Sequence, residues 1–420
     1  MRRPGRAGSA TALVLALSLG AAASAHAQFW PDFTDRQKKG RFRVGPIALT
    51  PRLELRNAGV DTNVFVTNTS PVEDTAVVLR ASSDVFVPIG RRMRLAGTGW
   101  IDFNYFASEA DQRSTDPGGQ GRVEVDAWRL TFLAGGGGFR SRQLYSTDID
   151  ERIKRTEQWV NGGVQLRLTS RLRAEAGVES HEYRWNPTPE QDASVKDQLD
   201  RDSDVWKGGL RYKLTSLTML VASAEKIDDT FLVAPPGLAT TTSYRYLGGF
   251  EFGERAFITG RFVGGLRDIP SDKAGSVVPY TGPVFQGSIS APFLQRLRLN
   301  LGYDRDVYYS ATGGRLEEVI LRNTYTYGRL NASLDIDAPL NLVLRLTGGY
   351  ENANYLRPFV VPGGAIDRRD QIYLGGASLL RRVSENGLIG LTAVHTRRES
   401  NYPGGDYTRW QYGLQGYINP

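Results

Sequence analysis

Three histidines occur in 420 residues, and two of them, His181 and His395, lie beyond residue 27. These two are the side chains best suited to general acid–base work. His181 stands between Glu179 and Glu182, and His395 stands near Glu399 and Ser400, so a Ser/His or Asp/His hydrolytic arrangement is a chemistry these residue types allow. Neither sits in a nucleophile elbow or another local catalytic signature. The plainer reading places both on a wall or rim, and no enzymatic activity is expected. The absence of cysteine excludes a disulfide framework, a thiolate zinc site, an iron–sulfur cluster and a cysteine nucleophile. Two histidines on distant segments give no metal-ligand spacing, and Asp148, Asp150 and Glu151 lack the calcium-loop pattern, so neither metal nor cofactor is expected. The run Gly135–Gly138 follows an extended segment without a later Lys-Ser/Thr, which points to a turn rather than a phosphate loop.

The remaining chemistry lies in charges that recur at every second position. Alternation puts Arg80, Arg94, Arg167, Arg173, Lys207, Arg211, Arg245, Arg261, Arg267, Arg298, Arg329 and Arg345 on one face. Asp84, Asp102, Glu124, Asp126, Glu175, Glu179, Glu251, Asp304, Asp306 and Asp335 fall on the same face. From these we take Arg94, Arg173, Glu175, Glu179, Arg211, Arg245, Arg261, Arg298, Asp304 and Arg345 as the candidate pore-lining set. Two uses fit such a face. It can select among charged solutes or polymers, or it can form cross-strand ion pairs that stiffen a wall.

The elements that carry these charges are β-strands. In Asn341–Glu351, Leu342, Leu344, Leu346, Gly348 and Tyr350 alternate with Asn341, Val343, Arg345, Thr347, Gly349 and Glu351. Arg296–Asp306 and Arg171–Glu179 repeat the pattern. Such runs of about ten residues meet short turns and long polar loops by turns, the grammar of a membrane barrel. Short turns are expected near Pro88–Arg91, Ala134–Gly138, Leu168–Arg171, Leu214–Leu217, Gly253–Arg255, Pro292–Gln295, Asp337–Leu340 and Val383–Gly387. Long loops are expected near Ala58–Thr75, Ser108–Gly121, Ser146–Arg155, Asn186–Ser203, Asp228–Thr241, Asp268–Val277, Ser310–Arg315, Arg357–Arg369 and Ser400–Asp406. The count is about 18 strands, with 16 as the fallback if the Val123–Tyr145 hairpin fails.

The chain thus reads as all-β: a single transmembrane antiparallel barrel over residues 43–420, with short periplasmic turns and longer extracellular loops. Apolar side chains would face lipid and charged ones the lumen. Ten aromatics near strand ends, Tyr105, Phe106, Tyr183, Trp185, Tyr303, Tyr308, Tyr309, Tyr350, Trp410 and Tyr412, would form interfacial girdles.

Residues 1–27 have the form of a secretory signal peptide. Arg2, Arg3 and Arg6 precede an apolar run from Ala10 to Ala23, and Ala25-His26-Ala27 forms a cleavage site. Residues 28–42 would be a short periplasmic extension or plug. The leader arginines supply three of the net +7, which leaves 49 basic against 45 acidic residues. No basic block follows, so nucleic acid is not an expected partner. A barrel in the outer membrane would instead meet its lipid and lipopolysaccharide, and the assembly machinery that inserts it.

The opening strand, Leu49–Phe65, runs into Asp61, Asn63, Val64 and Phe65. Here the chain resembles the outer-membrane β-barrel porins associated with exopolysaccharide and capsule export loci. The Leu166–Arg173 hairpin, with its Thr-Ser-Arg-Leu turn, is similar in style. The resemblance implies a channel for polysaccharide export that works with periplasmic polysaccharide-export proteins. Without it, the barrel reads as a general or solute-specific diffusion porin, and an outer-membrane hydrolase using His181 or His395 is the third reading. Many such barrels end on an aromatic that aids assembly, whereas this chain places Tyr417 three residues before its end.

Overall fold

The computed structural model describes residues 40–419 except 145–151, 188–193, 235–238, 272–276, 295, 312–313, 317–318 and 363. The leader 1–27 and most of the 28–42 extension lie outside the described residues. Phe42–Val44 forms a short strand paired with Ile47–Leu49.

Eighteen antiparallel strands close into one barrel. They are β1 (Ile47–Asp61), β2 (Asp74–Ile89), β3 (Met93–Phe106), β4 (Ser114–Ala127), β5 (Leu130–Leu144) and β6 (Arg152–Arg167). Next come β7 (Leu172–Asn186), β8 (Arg201–Lys213), β9 (Thr218–Phe231), β10 (Thr240–Phe252), β11 (Thr259–Ile269) and β12 (Tyr280–Phe293). The last six are β13 (Leu297–Tyr309), β14 (Thr324–Ala338), β15 (Leu342–Tyr355), β16 (Arg369–Ser384), β17 (Gly387–Ser400) and β18 (Tyr407–Ile418). Each pairs with its sequence neighbours, and β1 closes on β18 through a bulge between Leu55 and Ala58. Closure pairs every strand on both sides along the middle of the wall, the condition for backbone inside a hydrocarbon layer. Among the described residues no helix is long and apolar enough to cross a membrane.

The two faces of the wall follow from alternation. Val160, Trp206, Leu210, Tyr246, Phe262 and Leu266 share one face and are exposed. Leu346, Leu379, Leu391, Tyr412 and Leu414 continue that band around the ring. A soluble protein would bury this much apolar surface, whereas a bilayer covers it.

Most expected connections are present, with three corrections. The β4–β5 turn is Trp128–Arg129, and Gly135–Gly138 lies inside β5. Two-residue turns usually carry Asn or Gly, but here Trp128 itself takes a φ of 57°. The glycines serve close approach instead, since a Cβ on Gly137 would stand 2.7 Å from the Trp159 indole. Second, the expected Ser108–Gly121 loop is shorter, because β4 begins at Ser114 and holds Pro117. Pro117 pairs with Ile101 one residue beyond the β5 ladder, where the missing N–H costs little. Third, Phe106, Tyr183, Trp185 and Tyr309 are buried rather than in a girdle. Tyr105, Tyr350, Trp410 and Tyr412 are exposed, as a girdle requires.

Candidate functional site

The candidate site is the inner wall, and the ion pairs themselves identify it. Arg245 on β10 donates to Asp306 on β13 at 2.8 Å, across two intervening strands. Adjacent strands are about 4.8 Å apart, so such a bond forms on the concave side of a curved sheet or from a strand end that has stepped inside it, and either marks the inner face. Parity from these two residues places the charged face inward on every strand.

Arginine–carboxylate pairs line that face. Arg345 is bidentate to Asp335 at 2.6 and 2.9 Å. Arg94 reaches Asp126 at 2.7 Å and Glu124 at 3.3 Å. Arg211 bridges Glu251 and Glu175. Arg245 also holds Glu225, at 2.9 Å from Nε. Lys207 holds Glu179 at 2.9 Å. Arg80 pairs with Asp102, and Arg52 with Asp84. Each strand supplies its partner because alternation aligns charges of both signs at the same height.

The ten residues expected to line the pore therefore fall as follows. Arg94, Glu175, Glu179, Arg211, Arg245 and Arg345 are members of these pairs. Asp304 accepts the Tyr308 hydroxyl at 3.0 Å. Arg298 lies opposite Asp335 in register. Arg173 joins Arg94, Glu124 and Glu175 around one wall cavity, and Arg261 joins Arg211 and Glu251 around another. Among the cationic groups that the sequence reading left out, Arg52, Arg56 and Arg409 sit on β1 and β18 beside the closure, and Arg155 and Arg398 pair with Glu157 and Asp370 on β6 and at β16–β17.

His181 and His395 lie on opposite faces. His181 is buried, its Nε2 2.5 Å from Glu179 and its Nδ1 3.4 Å from Glu157. Ser203 is its cross-strand neighbour on β8. With both ring nitrogens turned to carboxylates, the imidazole is not placed to activate that hydroxyl. Its ring stacks between Trp159 at 6.1 Å and Tyr183 at 5.7 Å, and Tyr183 stacks on Trp185. His395 alternates with inward Val394 and Thr396 and packs on exposed Trp410 at 4.6 Å.

The long-loop end of the lumen is narrowed from within. A short helix, Ser194–Leu199, follows β7 and lays Val195 and Leu199 against the inner wall. The wall contributes Ile153, Tyr183, Trp185 and Phe231 to that contact. Asp200 caps the arrangement, its carboxylate accepting the Trp185 N–H at 2.7 Å. Burial pushes the Asp200 carboxyl above its usual range, against the Trp185 hydrogen bond and the Lys196 charge. Opposite, the Arg368 guanidinium lies 4.7 Å from both the Tyr355 and Tyr402 rings. At the short-turn end Val343, Leu380 and Leu388 form an inner apolar patch that Tyr417 joins, so the outward residue there is Ile418.

No protein-family model and no curated protein matches the chain. Its fold is similar to solved outer-membrane proteins at low identity. OpdK from Pseudomonas aeruginosa shares 13% identity over 88% of this chain and 98% of its own, at TM-score 0.47. OccAB1 from Acinetobacter baumannii shares 12% over 91% and 99%, at TM-score 0.47. The siderophore receptor PirA from Pseudomonas aeruginosa shares 10% over 90% and 81%, at TM-score 0.44. These likenesses concern the fold alone.

Proposed function

We propose that the chain is an outer-membrane diffusion channel for small polar or charged solutes. The observation that carries this reading is an eighteen-stranded closed wall with charge on its inner face and hydrocarbon-compatible side chains on its outer face. At that strand number wall side chains do not fill the interior, and a charged lining favours water and polar solutes within it. The polysaccharide-export role implied by the opening strand draws no support from the inner wall, so diffusion is the favoured reading. The acidic and basic lining groups are paired with one another, which sets an expectation of weak selectivity between cations and anions.

Purified protein in a planar bilayer tests this. Discrete conductance steps with a reversal potential near zero in a salt gradient are expected. A chain that inserts, shown by heat-modifiable gel mobility, and yet never conducts would remove the channel reading. Strong preference for one sign of ion would remove the balanced-lining argument.

A further inference from the structure

We propose that the loop end of β13, Asp306–Tyr309, is a gate made from the wall itself, exchanging between the tucked position seen here and a position zipped onto β12. The proposal rests on the channel reading above. The β12–β13 ladder runs from Phe293↔Leu297 to Phe285↔Arg305 and stops there. Yet β12 continues to Tyr280 along β11, and β13 continues to Tyr309 along β14. The segment Asp306–Tyr309 is thus paired on one side only.

Alternation shows where this segment has gone. Val307 and Tyr309 belong to the outward face with Leu299, Leu301 and Tyr303. Both are nevertheless buried, at 6% and 7% exposure. The Tyr309 hydroxyl donates to Asp229 at 3.0 Å, and its ring meets Phe231 edge-on at 4.9 Å. Asp229 and Phe231 lie on the inner face of β9, in line with Glu225, which Arg245 holds. An outward residue can touch the inner face of another strand only if its own strand has stepped inside the wall. The tip therefore lies within the lumen.

The unmade ladder bonds have substitutes. The Val307 N–H donates to the Asp306 carboxylate at 2.8 Å, and the Val307 carbonyl accepts Arg267 at 3.1 Å. Across the seam Pro283 has no N–H to satisfy, and its carbonyl takes the Tyr280 hydroxyl at 3.4 Å. Stray backbone polar groups would otherwise make such a fork costly. A ladder would satisfy the Val307 N–H through the Pro283 carbonyl, its partner in the continued register, while the Val307 carbonyl would face a proline that has no N–H. Continuing the register pairs Val284 with Asp306 and Thr281 with Tyr309. Pro283 removes one bond from that ladder, which keeps the zipped position from dominating. Zipping would move Val307 and Tyr309 to the lipid side and clear them from the lumen.

The chain has no cysteine, so introduced pairs react only with each other. Phe231→Cys/Tyr309→Cys locks the tucked position, and Thr281→Cys/Tyr309→Cys locks the zipped one. Ser288→Cys/Gly302→Cys, register partners in the intact ladder, is the control. In membranes under mild oxidant all three pairs are expected to cross-link. Single-channel conductance should fall at least about two-fold in the tucked lock and rise at least about two-fold in the zipped lock, relative to the reduced protein. If the control forms and Thr281→Cys/Tyr309→Cys does not, the zipped position does not exist and the gate is refuted. Equal conductance in both locks refutes the gate and leaves the channel standing. Silence in every form, reduced protein included, defeats the channel reading and the gate with it.

Discussion

Asp61, the last residue of the first strand, grips Arg409 of the last strand through both carboxylate oxygens, with 2.8 Å to Nε. The same carboxylate accepts Gln411 and the Asn63 N–H, each at 3.2 Å. The Asn63 amide then donates to the carbonyls of Thr67 and Thr408, and Val64 packs under Phe106. The Asp-x-Asn-Val-Phe stretch is thus a clasp at the closure of the barrel, joining β1, its following loop and β18.

Breaking that clasp should weaken closure. Asp61→Ala leaves the buried Arg409 charge uncompensated, a loss of about 3–5 kcal/mol. The folded form on heat-modifiable gels should melt at lower temperature, and Asp61→Ala/Arg409→Leu should recover part of the difference. A double variant no better than the single one would mean that the packing of Val64, not the ion pair, holds the seam.

Eighteen strands, the gathering of charges on one face and most turns were legible because side chains along a strand alternate between the two faces of a barrel wall. What escaped the sequence were features that depend on chain segments far apart. Trp128 turns the chain without the glycine that would have announced it, while Gly135–Gly138 yields space to Trp159 on the next strand. Tyr183 and Trp185 look like girdle residues from their place at a strand end. Alternation already set them on the inner face with Glu175 and Glu179, and the Ser194–Leu199 helix folding back over that face adds to their burial, which no local pattern records. Parity assigned Val307 and Tyr309 to the lipid face and could not foresee that the end of β13 leaves the wall.

The lipid face gives a paired test. Leu346 is an exposed outward residue of β15, and Thr347 beside it points inward. Leu346→Arg should lower stability by about 2–4 kcal/mol near mid-membrane, and Thr347→Arg should change it little. Assembly yield and gel mobility read both, and equal tolerance would argue against a hydrocarbon layer around β15.

Topology can be read with single cysteines. Ser70→Cys lies in the long loop after β1, and Ser216→Cys in the tight β8–β9 turn. An impermeant maleimide should label the first on intact cells and the second only after permeabilisation. The opposite result would invert the barrel in the membrane and with it the side on which the gate opens.

The Ser194–Leu199 helix should dock more tightly in acid. Asp200 is buried, and its carboxyl is held above the usual range by that burial, so its neutral form is favoured in the docked state. A group whose folded value is raised contributes stability that is present below its ordinary value near 3.8 and lost as pH rises through the raised value. Lys196 and Arg184 oppose the shift and Asp197 adds to it, so these are the charges that set its size. The Asp200 amide bonds the Lys196 carbonyl at 2.9 Å and reports directly on the helix. Hydrogen exchange at that amide, corrected for its intrinsic pH dependence, should speed up as pH rises through the Asp200 titration. Asp200→Asn cannot ionise and still offers its side-chain oxygen to the Trp185 N–H, so its protection should be flat across the same range. A flat profile in the parent protein would show that Asp200 stays charged while docked, with the Trp185 hydrogen bond outweighing burial. A falling profile in both proteins would place the titrating group elsewhere in the cluster.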